Sequence, residues 1–264
     1  MLPLASRRYG PVNWIGLATL YGKEVRRFWA VATQTVLAPL VTGLLFLAIF
    51  VLALGHRIDQ IDGQAYVDFL VPGLIMMTIA QNSFANTSSS LMIAKVQGNI
   101  VDLLMPPLSA LELTVGVAGG GVTRGMVVGV TTGIAMIVFV PIGVAHPGFV
   151  VFHAVAASLL MALLGILTGI WAEKFDHLAA ITNFIVTPLS FLSGTFYSTT
   201  RLPEVWQTVA HLNPFFYMID GFRYGFIGHA DAPPLNGLLV MLGIDAVLLL
   251  VVYRWFSRGY RLKA

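Results

Sequence analysis

Six long apolar stretches constrain the fold of this 264-residue chain more than any other feature. A helix needs about 20 mostly apolar residues to cross a bilayer. Segments of that kind lie at residues 30–54, 67–90, 116–141, 148–170, 178–197 and 235–253. Only 10% of residues are charged, too few to cover the surface of a soluble protein of this size. The runs are continuous rather than alternating, so the sequence predicts an all-α integral membrane protein with six transmembrane helices.

Lysine and arginine predict how these spans are oriented. With six spans, both termini share one side, and that side carries Arg7, Arg8, Lys23, Arg26, Arg27, Lys95, Lys174, Arg254, Arg258, Arg261 and Lys263. The other side carries only Arg57, Arg201 and Arg223. Cytosolic loops are enriched in lysine and arginine, so the chain is expected in a bacterial inner membrane with both termini on the cytosolic side. We therefore divide this single domain, 1–264, into a cytosolic or interfacial segment (1–29), a bundle (30–253) and a cytosolic tail (254–264).

The first segment has the pattern of an amphipathic helix. Apolar side chains recur at helical spacing at Trp14, Leu17, Ala18, Tyr21, Val25 and Phe28, although Leu20 breaks the pattern. The opposite side carries Asn13, Lys23, Glu24 and Arg27, with Arg26 close by. The segment is expected to lie in the inner membrane interface and to enter the first span near Trp29. The alternative is a cytosolic extension of the first span.

Small and polar residues mark three spans as packing helices. The third span carries glycines four residues apart, at Gly116, Gly120, Gly121, Gly125, Gly129 and Gly133, which let neighbouring backbones approach closely. Gly165 and Gly169 repeat the pattern more weakly in the fourth span. Residues 81–90 of the second span are too polar to face lipid. They are expected to face other helices or a substrate path.

Two short apolar helices are predicted between the fifth and sixth spans. Pro203 begins the first, whose shared face is Leu202, Val205, Trp206, Val209 and Leu212. Asn213 precedes a proline and ends it. The second starts at Pro214, contains Tyr217 and groups Phe215, Ile219, Phe222 and Phe226. Asp220 and Arg223 stand three residues apart and could pair on one face. The pair of helices predicts a hairpin that dips into the outer leaflet.

The stretches SGTFYS, LPEVWQ and LNPFFYMIDGFRYG, with the six-span plan, resemble the ABC-2 type transporter permease family. A second stretch, KVQGNIVDLLMPPLS, resembles the family's cytosolic loop after the second span. The resemblance implies that this loop holds a coupling helix that contacts the ATPase, here Asn99, Ile100, Val101, Asp102, Leu103, Leu104 and Met105. From the residues alone, a plain loop is the simpler interpretation.

An energy source is missing from the chain itself. It contains no G-x-x-x-x-G-K-[ST] loop to hold phosphates. The resemblance implies two separate ATPase subunits, which bind ATP and Mg, and two membrane subunits. A homodimer is expected because six spans alone do not easily enclose a large path. Membrane lipid is the remaining partner that is expected. Nucleic acid is not expected to bind.

Two charges fall inside predicted spans, where a charge is costly. Arg124 lies in the third span and Asp245 midway along the sixth. They could pair, or each could face a polar cavity, and Arg124 could instead extend to the cytosolic interface if its span starts late. Structural and transport roles both remain open for them.

No catalytic or metal-binding pattern stands beside these features. The chain has no cysteine, no G-x-S-x-G and no H-E-x-x-H, so an intramembrane enzyme is not supported and no metal site is predicted. The function predicted is the permease subunit of an exporter for an amphipathic drug, lipid or glycan. The alternative is a secondary transporter driven by an ion gradient, which would use ionisable residues at mid-depth.

Overall fold

Six helical segments of the computed structural model, which describes residues 10–54, 60–61 and 63–262, are long and apolar enough to cross a membrane. They span Thr33–Ala53, Tyr66–Val96, Ala110–Phe139, Pro147–Trp171, Phe175–Leu192 and Pro234–Arg258. The predicted all-α class and the number of spans are therefore confirmed. Arg7, Arg8, Arg57 and Lys263 lie outside the described residues.

Eleven α-helices make up these segments and their connections within the described residues. They are α1 (Trp14–Trp29), α2 (Ala38–Leu54), α3 (Tyr66–Val96), α4 (Ile100–Leu104), α5 (Ala110–Phe139), α6 (Pro147–Trp171), α7 (Phe175–Ile181), α8 (Thr187–Leu192), α9 (Glu204–Leu212), α10 (Pro214–Ile227) and α11 (Pro234–Arg258). A short antiparallel pair, β1 (Gln60–Ile61) and β2 (Gln64–Ala65), precedes α3. We call the end where α1 begins and α11 ends the terminal end, and the opposite end the hairpin end.

Several span boundaries differ from the sequence prediction for local reasons. Helix α5 begins six residues earlier than expected, because Ser109 and Glu112 form a capping box ahead of its apolar part. The fifth span ends at Leu192 rather than 197, since Gly194 adopts a left-handed conformation (φ 78°) just beyond it. Hydropathy locates the apolar part of a helix, whereas caps and turns decide where the helix stops.

Helix α3 occupies the centre of the bundle. In the apolar part of α3, 83% of the residues are buried inside the protein. The corresponding share is only 11% in the first span and 11% in the fifth span. The first and fifth spans also share a local irregularity. Each contains a π-helical turn, at Thr33–Leu37 in the first and Thr182–Val186 in the fifth. The fold is thus a packed core of α3, α5, α6, α10 and α11 with two weakly covered spans beside it.

The predicted glycine packing places α3 directly against α5 and α6. A methyl group built on Gly121 or Gly125 would collide with Thr87 or Ser83 of α3. A methyl group on Gly165 of α6 would lie 2.6 Å from the Phe84 carbonyl oxygen, also in α3. Glycine is therefore required at these contacts, which are typical of close helix packing in membranes.

Helix α1 forms at the predicted segment and packs along α5. Its buried residues are Leu20, Glu24 and Phe28, so the residue that broke the apolar pattern and one from the polar side both face the protein. Leu20 packs over Gly116, and Glu24 one turn later packs over Gly120, so α1 runs alongside α5 in the same direction. Tyr21, from the predicted apolar side, also contacts α5. The glycines of α5 allow this close approach, because they leave room for the side chains of a second helix.

Substituting Gly165 tests this packing. We expect Gly165→Ala to lower the free energy of unfolding by about 1–3 kcal/mol, because the new methyl group meets a backbone oxygen that cannot rotate away. Gly133→Ala is the matched control. Its methyl group would lie 3.5 Å from Ile75 Cδ1, an ordinary contact, so the helix should be unchanged or slightly more stable. Melting temperatures of the purified variants compare the two, and equal losses would contradict the packing argument.

Candidate functional site

A groove of about 560 Å³ separates α3 from the two weakly covered spans. Its walls come from the first span, from the middle of α3 and from the fifth span. Both π-helical turns reach it, through Gln34 on one side and Thr182 and Val186 on the other. Because π-helical turns occur frequently at functional sites, this groove is the first candidate for a substrate path.

The polar side chains that line the groove are uncharged and come from all three of its walls, most of them from α3. The polar members are Gln34, Thr42, Thr78, Gln81, Asn82, Ser88, Ser89, Thr182 and Thr187. Apolar residues such as Phe46, Leu74 and Met77 share the lining. The residues at the polar end of the second span have two kinds of surroundings. Gln81, Asn82, Ser88 and Ser89 face the groove, whereas Ser83, Asn86 and Thr87 are completely buried between helices.

Behind the α3 wall of this groove, α1 meets α3 through charged side chains. The Arg27 guanidinium donates to the Asn86 backbone oxygen (2.6 Å), to Asn86 Oδ1 (3.0 Å) and to Ser89 Oγ (3.3 Å). Arg27 also pairs with Glu24 at 3.2 Å, and Ser90 Oγ donates to the same carboxylate at 2.8 Å. Sequence analysis missed the burial of Glu24, although a carboxylate three residues before an arginine is a recognisable helical pair.

Arg124 and Asp245 do not pair in the described part of the chain. Arg124 Nη2 donates to Asn82 Oδ1 at 3.0 Å, while Asp245 is 5% exposed and its Oδ1 has no hydrogen-bond partner. Arg124 lies 14 residues after the start of α5, at about 21 Å along the helix. The condition set for its extension to the interface, a late start of the span, is not met, because α5 begins six residues earlier than predicted.

A short helix, α4, occupies the loop that the sequence singled out after the second span. Asn99 precedes it and Met105 follows it. Ile100 and Leu103 are buried against Leu113 of α5 and Leu262 near the terminal end. Val101 and Met105 point outward, at 51% and 77% exposure. The helix is therefore anchored on one side and presents apolar side chains on the other.

Lys95 fastens the start of this loop to the bundle. Its Nζ donates to the backbone oxygens of Ile170 (2.8 Å) and Ala172 (2.5 Å), at the end of α6. Arg261 binds the neighbouring Trp171 oxygen at 3.1 Å. A cation at a helix C-terminus satisfies carbonyl groups that lack intrahelical partners. These contacts could not be predicted from the sequence, since they join residues about 75 positions or more apart.

At the hairpin end, α9 and α10 form the two short helices that were predicted. Asn213 joins them, with its Oδ1 accepting from Phe215 N (3.1 Å) and its Nδ2 donating to Ser193 Oγ (2.7 Å). The predicted apolar face of α10 is buried at Phe215, Ile219, Phe222 and Phe226. By contrast, Trp206 and Leu212 of α9 are exposed, at 52% and 80%.

The hydrogen bonds of Asp220 and Arg223 go to backbone groups of other segments. Arg223, 2% exposed, donates to the backbone oxygens of Phe69 (3.2 Å) and Gly194 (2.6 Å), and its guanidinium lies 3.6 Å from the centre of the Phe69 ring. Asp220 accepts from the backbone N–H groups of Asp231 (2.8 Å) and Ala232 (3.1 Å). The opposite charges of the two side chains still attract each other, and both side chains satisfy backbone groups.

Asp231 completes this hairpin-end network. Its carboxylate accepts from Thr199 N (2.7 Å), Thr199 Oγ1 (2.8 Å) and Ser198 Oγ (3.0 Å). It therefore joins the loop after the fifth span to the loop before the sixth. Sequence analysis passed over Asp231 because a lone aspartate in a loop carries no pattern.

Comparison with known proteins agrees with this arrangement. A family model described as ABC-2 type transporter matches residues 16–227, from α1 to the end of α10. The chain belongs to the ABC-2 type transporter family. The match includes the groove, α4 and both helices of the hairpin, so the resemblance found in the stretches of α4 and the hairpin is confirmed.

Relatives of this ABC-2 family member align with it along almost their full lengths. It is 39% identical to the inner membrane transport permease YadH of Escherichia coli K12, over 95% of this chain and 98% of that protein. Nodulation protein J of Rhizobium leguminosarum bv. viciae is 23% identical over 92% of each chain. Nodulation protein J of Sinorhizobium fredii is 24% identical over 93% of this chain and 91% of that protein.

The buried arginine of the hairpin end provides a stability prediction. We expect Arg223→Met to lower the free energy of unfolding by about 3 kcal/mol, because two buried carbonyl oxygens lose their donor. Arg201→Met is the control: Arg201 is exposed and makes a single long contact of 3.4 Å, so its loss should change stability by less than about 0.5 kcal/mol. Similar melting temperatures for the two variants would argue against the role of Arg223.

The pH dependence of stability tests Asp220. Burial raises the pKa of its carboxyl from 3.8 to about 6. A raised pKa means that the folded protein binds this proton more tightly than the unfolded chain. The gain is full below the unfolded pKa and disappears as the pH rises through about 6. We therefore expect the melting temperature to rise between about pH 7 and about pH 5. Asp220→Asn should flatten this rise, and Asp176→Asn, at an exposed position, should preserve it.

Proposed function

We propose that this chain is the membrane subunit of an ATP-driven exporter whose ATPase is a separate polypeptide. The observation that carries the proposal is α4, a short helix held between two spans at the terminal end. Buried Ile100 and Leu103 fix it to the bundle, while Val101, Asp102 and Met105 face outward. A partner that grips the outward face would move the helix as a rigid lever. Family membership supports pairing with an ATP-binding subunit.

The outward face of α4 suits a protein groove better than water. Met105 is 77% exposed and Val101 51% exposed, and Phe175 in the other loop at this end is 52% exposed. Burial of such residues would favour a docked partner by about 25 cal/mol for each Å² of apolar surface removed from water. We infer that two ATPase subunits, which bind ATP and Mg, dock at this end of a dimer of the chain. Both termini then lie on the cytosolic side of the bacterial inner membrane, which is the membrane named for YadH.

Motion would pass from α4 to the groove through the core. Lys95 ties the start of the α4 loop to α6, and α1 packs on α5 beside it. The first and fifth spans are weakly covered in a single chain, which leaves them available to a second copy. In this scheme, ATP binding draws the α4 helices together, and the groove beside those two spans opens outward. The α9–α10 hairpin would shape the exit.

The lining of the groove fits an amphipathic cargo. Amide and hydroxyl groups, most of them from α3, share the lining with apolar side chains, so a molecule with a polar head and an apolar tail would find contacts for both. Drugs, lipids and lipid-linked glycans all have this character. An ion-gradient mechanism has one feature in its favour, the buried and unpaired Asp245, and transport that continues without any ATPase would support it.

Substitutions on the outward face of α4 test the proposal. Met105→Asp should reduce ATPase binding and coupled transport at least about tenfold, because a carboxylate would be buried in the docked interface without a partner. The fold should remain intact, since Met105 is exposed. The measurements are co-purification with the ATPase and ATP hydrolysis in vesicles.

A matched control lies in the loop between α5 and α6. Val144→Asp makes the same kind of change at an exposed position at the hairpin end and should leave ATPase binding unchanged. Full coupled transport by Met105→Asp, or by a chain that lacks residues 99–105, would refute the assignment.

A further inference from the structure

The positive charge of Arg124 has no carboxylate to balance it in the described part of the chain. Its guanidinium makes one hydrogen bond, from Nη2 to Asn82 Oδ1 at 3.0 Å, and the neutral amide cancels none of the charge. Its Nε is buried without any partner. An unbalanced charge far along a membrane span is costly and is by default a sign of function.

The residues around Arg124 add to this excess. We call Glu24, Arg27, Asn82, Asn86 and Arg124 the arginine cluster. Arg27 is balanced by Glu24 at 3.2 Å, so two arginines and one glutamate leave a formal charge of +1. Arg27 and Arg124 bind Asn86 and Asn82, which lie one helical turn apart on α3. The cluster therefore lacks one negative charge.

The cluster also lacks hydrogen-bond acceptors. Two of its buried atoms have no partner, Arg124 Nε and Asn86 Nδ2, and both are donors only. Asn86 is completely buried, and its Oδ1 already accepts from Arg27. A water molecule could accept hydrogen bonds from such donors but would bring no negative charge. An anionic oxygen group would accept hydrogen bonds and would also balance the positive charge.

The arginine cluster reaches the transport groove through Asn82. A guanidinium can only donate hydrogen bonds, so Arg124 binds the Oδ1 atom of Asn82. The amide nitrogen of Asn82 therefore points away from Arg124. That nitrogen donates one hydrogen to Thr78 O at 2.9 Å and keeps a second hydrogen. Asn82, Thr78 and Ser89, which Arg27 binds, all line the groove. The groove wall thus presents a donor with a positive charge directly behind it.

We propose that this wall, formed by Asn82 and backed by Arg124, holds the anionic headgroup of an amphiphile. The inference rests on the proposed export function and specifies the class of cargo. The charge of Arg124 acts across one side chain in a region of low dielectric constant, where it is screened far less than in water. Phe46, Leu74 and Met77 in the same groove accept the apolar tail. A phosphate group fits the donors, whether on a lipid or free in solution.

Binding to the purified, delipidated chain tests the proposal without any ATPase. The probes are phosphatidylglycerol, phosphatidylcholine and diacylglycerol with identical acyl chains, and inorganic phosphate. Bound lipid is counted by native mass spectrometry and melting temperatures are recorded with each probe. Wild type should prefer phosphatidylglycerol and be stabilised by it above the other two lipids.

Three variants distinguish a specific effect of Arg124 from a general attraction of the anionic lipid to basic residues. Arg124→Gln should weaken phosphatidylglycerol binding at least about tenfold, because one charge-assisted interaction is lost. Arg124→Lys keeps the charge and should retain most of the binding. Arg254→Gln removes an exposed arginine near the terminal end and should bind like wild type. If Arg124→Gln fails to fold, Asn82→Leu takes its place, because it removes the donor at the groove wall and should cause the same loss.

Each contrary result has a defined meaning. Equal binding of the three lipids by wild type, or equal losses in Arg124→Gln and Arg254→Gln, would overturn the proposal. Displacement of phosphatidylglycerol by inorganic phosphate would show a site for free anions and would overturn the assignment to an amphiphile. If lipid preference holds but no ATPase associates with the chain, the export function fails while the headgroup site stands.

Discussion

Lipid offers no hydrogen-bond partners, so the polar half of α3 has to find its partners inside the protein. This requirement places α3 at the centre of the bundle and surrounds it with glycines. Thr87 Oγ1 donates across to the Ala162 backbone oxygen at 2.8 Å, a distance that is reached only because α6 comes close at Gly165. Other hydroxyls bond to their own helix, as Ser88 does to Phe84 at 2.8 Å. For Thr87, the close approach of the helices and the satisfaction of its hydroxyl group are therefore one arrangement.

The same requirement fixes both ends of the bundle. At the terminal end, Lys95 satisfies the last carbonyl groups of α6 and fastens the loop that carries α4. At the hairpin end, Arg223 satisfies carbonyl groups of Phe69 and Gly194, and Asp220 and Asp231 hold the adjoining loops. The first and fifth spans have few such ties. A rigid core beside two loosely covered spans with π-helical turns is suited to a transporter in which those spans move.

How far the sequence predicts this protein depends on the range of the interaction. The α9–α10 hairpin could be predicted because Pro203, Asn213 and Pro214 act on their immediate neighbours. The buried face of α10 could be predicted from helical spacing. The orientation of α1 could not, since Leu20 and Glu24 are buried only because glycines about 96 positions away make room for them. The hydrogen-bond partners of Arg223 could not be predicted either, because Phe69 and Gly194 are distant from it in the sequence.

The sequence by itself determined the membrane class, the six spans, the two short helices between the fifth and sixth spans and the family resemblance. These follow from composition and local pattern, because the bilayer sets the length of a span and proline sets the ends of short helices. Only the tertiary structure decided which face of α1 is buried, what Arg223 binds and that Arg124 stands behind the groove wall without a counter-charge. Those outcomes depend on which backbones come close together, and that proximity is a property of the packed bundle rather than of any one segment.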